Sequence, residues 1–286
     1  MDFLEVFLRA FIDYLMDITP YFLIAVLITS FLQGFTKLSW LRSILKNQNT
    51  APVYTGLIGG LLPLCSCSML PVANLINSLS KSYAPVLSFL VVAPIISPVT
   101  ILLTYGYFGW SMTFMRIFGT MLFALLFAYT ASFLVKKPKG IPMAFGNAGG
   151  SGLSSFTTHF RNNLLGIGKY LLLGIFIASL IKTLLPPSLV RPIAGSLLSY
   201  FFIAFVSVPI YVCSGEEVPI AKALRDVGFT YGNSFTFMLG GTGICMPTIL
   251  ATLKFLPKVL VAFYVFFWIL FSIAMGIFYD MIFWKF

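Results

Sequence analysis

Apolar blocks separated by short polar turns recur along the chain at about residues 20–36, 53–76, 84–106, 108–135, 163–184, 193–214, 229–252 and 258–283. Most approach the roughly 20 residues a helix needs to cross a hydrocarbon core. The pattern therefore predicts an all-α, polytopic integral membrane protein with about eight hydrophobic segments. The first 19 residues read differently. Phe3, Leu4, Phe7, Leu8, Phe11, Ile12 and Leu15 share one helical face, and Asp2, Glu5, Arg9, Asp13 and Asp17 lie opposite, which predicts an amphipathic interfacial helix over 1–19. A span there would take five charges into lipid, each at a cost of a few kcal/mol. The acidic start and the missing small-residue cleavage site do not fit a cleavable signal.

Between the fourth and fifth blocks lies KKPKGIPMAFGNAGGSGLSSFTTHFR. Its lysines, prolines, glycines and serines predict an extramembrane linker over 136–162. The linker separates a first transmembrane unit, 20–135, from a second, 163–286. The units read as copies: residues 65–104 align without gaps on 213–252 at an offset of 148, with eleven identities in forty. Cys65/Cys213, Ser66/Ser214, Pro71/Pro219 and Thr100/Thr248 are among them, and shared hydrophobicity does not place Cys-Ser, Pro-x-Ala and Thr-Ile-Leu-x-Thr in one register. Four spans per unit would make the copies parallel, and one re-entrant segment per unit would make them inverted. The second arrangement fits the positive-inside bias slightly better and puts the linker in the cytoplasm.

Composition agrees: 59% of residues are hydrophobic and 9% charged, against a quarter charged in soluble domains. The net charge of +10 reads as lysines and arginines holding loops at the surface of a lipid bilayer, so no nucleic-acid partner is expected. Four cysteines are too few for a disulfide scaffold in a chain of this size. The chain has no Walker loop, G-x-G-x-x-G or zinc-hydrolase pattern, so neither enzyme chemistry nor ATP-driven pumping by this chain is supported. No catalytic residue, resident metal or cofactor is assigned.

Candidate chemistry gathers at helix breaks. Gly59, Gly60, Pro63 and Pro71 interrupt the second segment and Pro94 and Pro98 the third, with Pro219, Gly241 and Gly243 in the second unit. Non-helical backbone survives at membrane depth only where protein or water satisfies it, so these positions are expected to line a cavity. Cys65, Ser66 and Cys67 stand beside the first break. Cys213 and Ser214 repeat them, and Cys245 falls opposite Ser97. Thiolates select soft partners such as trivalent arsenic, Cu(I) or Zn(II), which makes Cys65, Cys67 and Cys213 candidate metalloid ligands. Glu216 is the proton-coupling candidate, whereas Glu217 is expected to begin a solvated loop with Lys222, Arg225 and Asp226. Arg116 is expected to snorkel to the interface, and His159 to sit solvated in the linker.

PLCSCSMLPVA and APIISPVTILLTYG, followed by YVCSGEEVPIAKAL and a Gly-rich stretch ending in PTIL, resemble the ArsP-type predicted permease family. Its members carry a Cys-Ser-Cys-Gly-x-x-Pro motif and a Tyr-Val-Cys/Ser motif. The resemblance implies an inner-membrane permease of eight or so spans. Some members export trivalent organoarsenicals, and many have no assigned substrate. It carries onto Cys65, Ser66, Cys67, Pro71, Cys213 and Pro219. Ser68 stands where the family usually has Gly, and Gly240-Gly241-Thr242-Gly243 replaces a Gly-Pro-Ala-Thr-like stretch, so the family's substrate does not transfer automatically.

The leading expectation is a cell-membrane permease that exports a small thiophilic solute, a trivalent arsenical first, by alternating access. The solute would meet a lining poor in charge. A zinc or copper permease with a separate binding subunit is one alternative, and a membrane thiol-disulfide protein using Cys65 and Cys67 another. Oligomeric state stays open.

Overall fold

The computed structural model describes residues 49–62, 69–135, 196–208, 215–226 and 228–283, with Val212 and single positions between 5 and 47 and between 157 and 176. Among the described residues every regular element is an α-helix. They are α1 (Ala51–Leu61), α2 (Met69–Leu79), α3 (Ala84–Val92), α4 (Pro98–Leu134), α5 (Leu197–Ser207), α6 (Glu217–Asp226), α7 (Tyr231–Gly243), α8 (Met246–Thr252) and α9 (Lys258–Phe283). The stretches Pro98–Leu134, Tyr231–Thr252 and Lys258–Phe283 are long and apolar enough to cross a bilayer, while α1, α2 and α5 are apolar but shorter. The expected segments at 20–36 and 163–184 and the linker over 136–162 fall largely or wholly outside the described residues. Described positions between Glu5 and Thr19 are helical, and Arg9 bridges to Glu5 at 2.7 Å on the exposed side.

Two short helices form the centre. Every residue of α3 is buried, as is every residue of α7 from Gly232 to Gly243. A helix apolar all round belongs inside a larger assembly, and APVLSFLVV is such a sequence. Around them, α4 and α9 turn large apolar side chains outward: Leu102, Trp110, Phe118, Leu126 and Phe133 on one, Phe266, Leu270 and Phe278 on the other. In water this would be a strong aggregation surface; in lipid it is the required exterior.

Close packing explains several glycines that read as breaks. Gly59 and Gly60 lie inside α1, and a Cβ on Gly59 would sit 3.1 Å from the Phe89 ring of α3. Two cross-bonds seal that pair, from Thr55 Oγ1 to the Pro85 carbonyl at 2.8 Å and from Ser88 Oγ to the Pro52 carbonyl at 2.7 Å. Gly241 lies inside α7, whereas Gly243 is its last residue, at the break, where a Cβ would fall 2.2 Å from the Trp268 ring. A Cβ on Gly232 would fall 2.1 Å from the Gly276 carbonyl. This is the small-residue packing by which membrane helices approach without a hydrophobic driving force.

Pro219 stands third in α6. A first-turn proline gives up an amide that has no intrahelical partner anyway, so this residue starts a helix rather than breaking one. Pro71 is helical within α2, whose preceding residues lie outside the described ones. The segment Glu217–Asp226, expected as a solvated loop, is helical. One face of α6 is buried through Glu217, Val218 and Ala221.

The units meet where α4 packs on α9 and α6, and where α2 packs on α8. Asn77 donates to the Phe255 carbonyl at 2.9 Å across that second contact. Along α4 and α9 the pairings run in opposite senses: Ser111 with Tyr279 (2.9 Å between hydroxyls), Phe123 with Phe271 (ring centroids 4.2 Å apart), Phe127 with Tyr264 (6.0 Å). The two helices are antiparallel. Gly109, with φ of 81°, kinks α4 near its first third.

Candidate functional site

Each central helix ends at an interruption. After α3 the chain turns through Pro94–Ser97 and restarts as α4, with Pro98 in its first turn. Ser97 caps that start by a reciprocal box: its Oγ accepts from the Thr100 amide at 3.3 Å, and its own amide donates to Thr100 Oγ1 at 3.1 Å. After α7 the chain passes through Ile244 and Cys245 and restarts as α8. Cys245 is that helix's N-cap, its Sγ 2.9 Å from Thr248 Oγ1. Ser97 and Cys245 are 148 residues apart, as are the helix starts that follow them at Pro98 and Met246.

The carbonyls freed at the interruptions find buried donors. Tyr264 Oη donates to the Gly243 carbonyl at 2.8 Å, and Trp268 Nε1 to the Leu239 carbonyl at 3.0 Å. In the first unit Thr100 Oγ1 and Arg116 Nε donate to the Ile95 carbonyl, at 2.8 and 3.0 Å. Positions 95 and 243 differ by 148, and so do 116 and 264. Arg116 thus does for the first interruption what a tyrosine does for the second. It carries a charge where a phenol suffices.

Arg116 does not snorkel: it is wholly buried. The guanidinium binds the Ile95 carbonyl through Nε and Thr104 Oγ1 through Nη1 at 3.0 Å, with Met238 Sδ 3.7 Å from Nη1. Nη2 donates to Glu217 Oε1 at 2.6 Å, an ion pair with neither side chain exposed. Glu217 Oε2 accepts from the Gly215 amide. This network of charge-assisted bonds is what makes the burial tolerable, because an unpaired guanidinium there would be prohibitive. The expectation for the adjacent acids is reversed: Glu217 lies inside and Glu216 is exposed. Reading α6 as a helix supplies the reason, since residues one apart point about 100° from each other.

A second buried carboxylate also escaped the sequence reading. Asp280, near the end of α9, accepts from the Gly232 amide at 2.8 Å and from the Tyr200 hydroxyl. It joins α9 to α7 and α5, and it has no ion-pair partner among the described residues. Beside it, Ser199 Oγ donates to Asn233 Oδ1 at 3.0 Å, while Asn233 Nδ2 is buried with no hydrogen-bond partner. An acid within a 26-residue apolar helix was the available signal.

Of the expected thiols, Cys245 is described and fully buried at the second interruption. Pro63, Cys65, Ser66, Cys67, Cys213 and Ser214 lie outside the described residues, as does His159. Val212 and Gly215, which flank Cys213 and Ser214, are buried, and Gly215 adopts φ of 106°. Pro94 is buried within the first interruption and Pro98 is exposed at its end; Pro219 is exposed on α6. Among the described residues no three His, Cys, Asp or Glu side chains come together as a metal site. Among the described residues the interior holds Arg116, Glu217, Asp280 and Cys245.

Residues 3–281 match a family described as a predicted permease. The chain belongs to the ArsP-type predicted permease family. It is 26% identical over 87% of its length to the UPF0718 protein YcgR of Bacillus subtilis, covering 88% of that protein. It is 23% identical over 76% of both chains to a putative two-component membrane permease complex subunit of Streptococcus mutans. A UPF0718 protein of Methanocaldococcus jannaschii matches at 32% identity over 37% of this chain and 30% of its own. No solved structure matches. The protein is thus a membrane permease, and its interrupted helices and buried charges are those of a transporter interior.

Proposed function

We propose that this permease moves a small thiophilic solute, a trivalent arsenical foremost, out of the cytoplasm by alternating access, with Cys65, Cys67, Cys213 and Cys245 as its ligands. Cys245 carries the reading. A buried thiol stands at the N-cap position of the helix restart at the second interruption, the position that Ser97 holds at the first, and interrupted helices are where membrane transporters place their solutes. Ser66 and Ser214 would complete the polar lining. Glu216, exposed beside the buried Glu217, would exchange protons with water rather than with the solute.

The architecture supports an inverted internal repeat. Helix starts, N-caps and carbonyl donors recur at one offset of 148, and α4 runs antiparallel to α9, its counterpart at that offset. Counterpart helices that pack antiparallel are related by an axis in the membrane plane, the arrangement that lets one unit rock against the other.

Resistance assays test the thiol role. Cells producing Cys65→Ser or Cys213→Ser should lose tolerance to methylarsenite; tolerance equal to wild type would remove the cysteines from the mechanism. The two-component name of the streptococcal relative favours a second reading, a transition-metal permease that needs a separate binding subunit. Cellular zinc and copper contents with and without the protein, set beside arsenical tolerance, decide between them.

A further inference from the structure

We infer that Arg116 is the receptor for an anionic group on the transported solute and that Glu217 is its internal place-holder. The inference rests on the permease reading and adds the solute's charge to it.

A guanidinium keeps its positive charge in a protein, so Arg116 needs an anion in every state in which it stays buried. Two of its neutral partners, the Ile95 carbonyl and the Thr104 hydroxyl, belong to the first unit and move with it, while the third, Met238 Sδ, belongs to the second. Its one negative partner, Glu217, belongs to the second unit, 101 residues along the chain, and starts a separate short helix. If the units shift, the oxygen contacts on Arg116 persist and the countercharge leaves.

The pair is also not demanded by the architecture. At the offset of 148 the counterpart of Arg116 is Tyr264, which serves the equivalent carbonyl, and the counterpart of Glu217 is Met69, which is buried without charge. One side of the molecule closes with a neutral pair of positions, and the other with a cation and a carboxylate. Buried ion pairs add little net stability over apolar packing, so stability alone does not account for this one. A cation fixed in orientation by three groups, with a displaceable carboxylate on its remaining fork, matches the chemistry of an anion receptor. Glu217 lies four residues after Cys213 and three after Ser214 in the sequence. The class of solute is one that carries both a soft centre and a carboxylate or oxyanion.

Two measurements on the full-length permease test this. In proteoliposomes, phenylarsine oxide and its 4-carboxy derivative share their arsenic chemistry and differ in charge. Wild type should favour the carboxylate by roughly tenfold in KM, one charge-assisted contact's worth. The double variant Arg116→Tyr with Glu217→Met, built from the counterpart residues, should lose that preference. A preference absent in wild type, or unchanged in the double variant, overturns the inference. If neither arsenical crosses faster than through empty vesicles, the thiophilic reading fails by itself, and the second measurement still decides the anion site. There, acetate should raise the Tm of solubilised Glu217→Ala by several degrees more than acetamide does, and should not do so for the double variant. Equal effects of acetate and acetamide overturn the inference.

Discussion

Arg116 and Glu217, from opposite units of the chain, meet at 2.6 Å with both side chains wholly buried. Removing one partner strands the other's charge in the protein interior. Arg116→Met or Glu217→Gln is expected to cost about 3–5 kcal/mol. The double variant Arg116→Tyr with Glu217→Met replaces the pair by the neutral residues of the counterpart positions and should cost far less than the sum. Thermal unfolding of the purified permease in one detergent measures all three. Additive losses would mean that the two residues act independently.

The glycines divide into those that hold helices together and those that do not. A Cβ on Gly243 meets the Trp268 ring at 2.2 Å and one on Gly232 meets the Gly276 backbone at 2.1 Å, whereas one on Gly106, in α4, meets nothing within 4 Å. Gly243→Ala and Gly232→Ala should each destabilise by about 1–3 kcal/mol or more, because α9 must move away. Gly106→Ala should stabilise by about 0.5–1 kcal/mol, since it lowers the freedom of the unfolded chain and suits a helix. Equal Tm values across the three would contradict the close approach of α7 and α9.

How far the sequence could be read follows a physical line. Apolar runs long enough for lipid and the interruption at Pro94–Pro98 are local signals, and they were legible. The depth of Arg116 was not. Near the start of an apolar run an arginine ordinarily snorkels, and its true partner lies 101 residues away. Glu216 and Glu217 are adjacent and identical in type, and only the phase of α6 tells them apart. Proline and glycine mark breaks in isolation, yet Pro219 begins a helix and Gly59 and Gly243 make room for neighbours. The register held one unread clue: at an offset of 148, Arg116 stands where Tyr264 does and Glu217 where Met69 does, neither a surface residue type by preference.

Asp280 is held by the Tyr200 hydroxyl and the Gly232 amide where α5, α7 and α9 converge. A hydrogen bond to a charged group contributes about 1.5–3 kcal/mol, against about 1 between neutral groups. Tyr200→Phe should therefore cost about 1.5–3 kcal/mol in wild type and clearly less in an Asp280→Asn background. A double-mutant cycle on unfolding reads the difference as coupling. A coupling near zero would mean that the carboxylate does not depend on the phenol.

Cys245 separates a structural thiol from a transporting one. At the N-cap position of α8 its Sγ lies 2.9 Å from Thr248 Oγ1 without capping a backbone amide, whereas Ser97 Oγ contacts Thr100 Oγ1 and also accepts from the Thr100 amide. Cys245→Ser keeps a polar partner for the Thr248 hydroxyl and should keep the stability. Cys245→Ala removes that partner and should cost about 0.5–1.5 kcal/mol. Affinity for a soft solute follows a different rule, because a hydroxyl cannot replace a thiolate toward trivalent arsenic. If Cys245 binds the solute, both variants should lose methylarsenite export although only the alanine variant is destabilised. If it is only a packing contact, the serine variant should export as wild type does and the alanine variant should fail in proportion to its lost stability. Export rates per folded molecule, measured beside Tm, place the thiol on one side or the other.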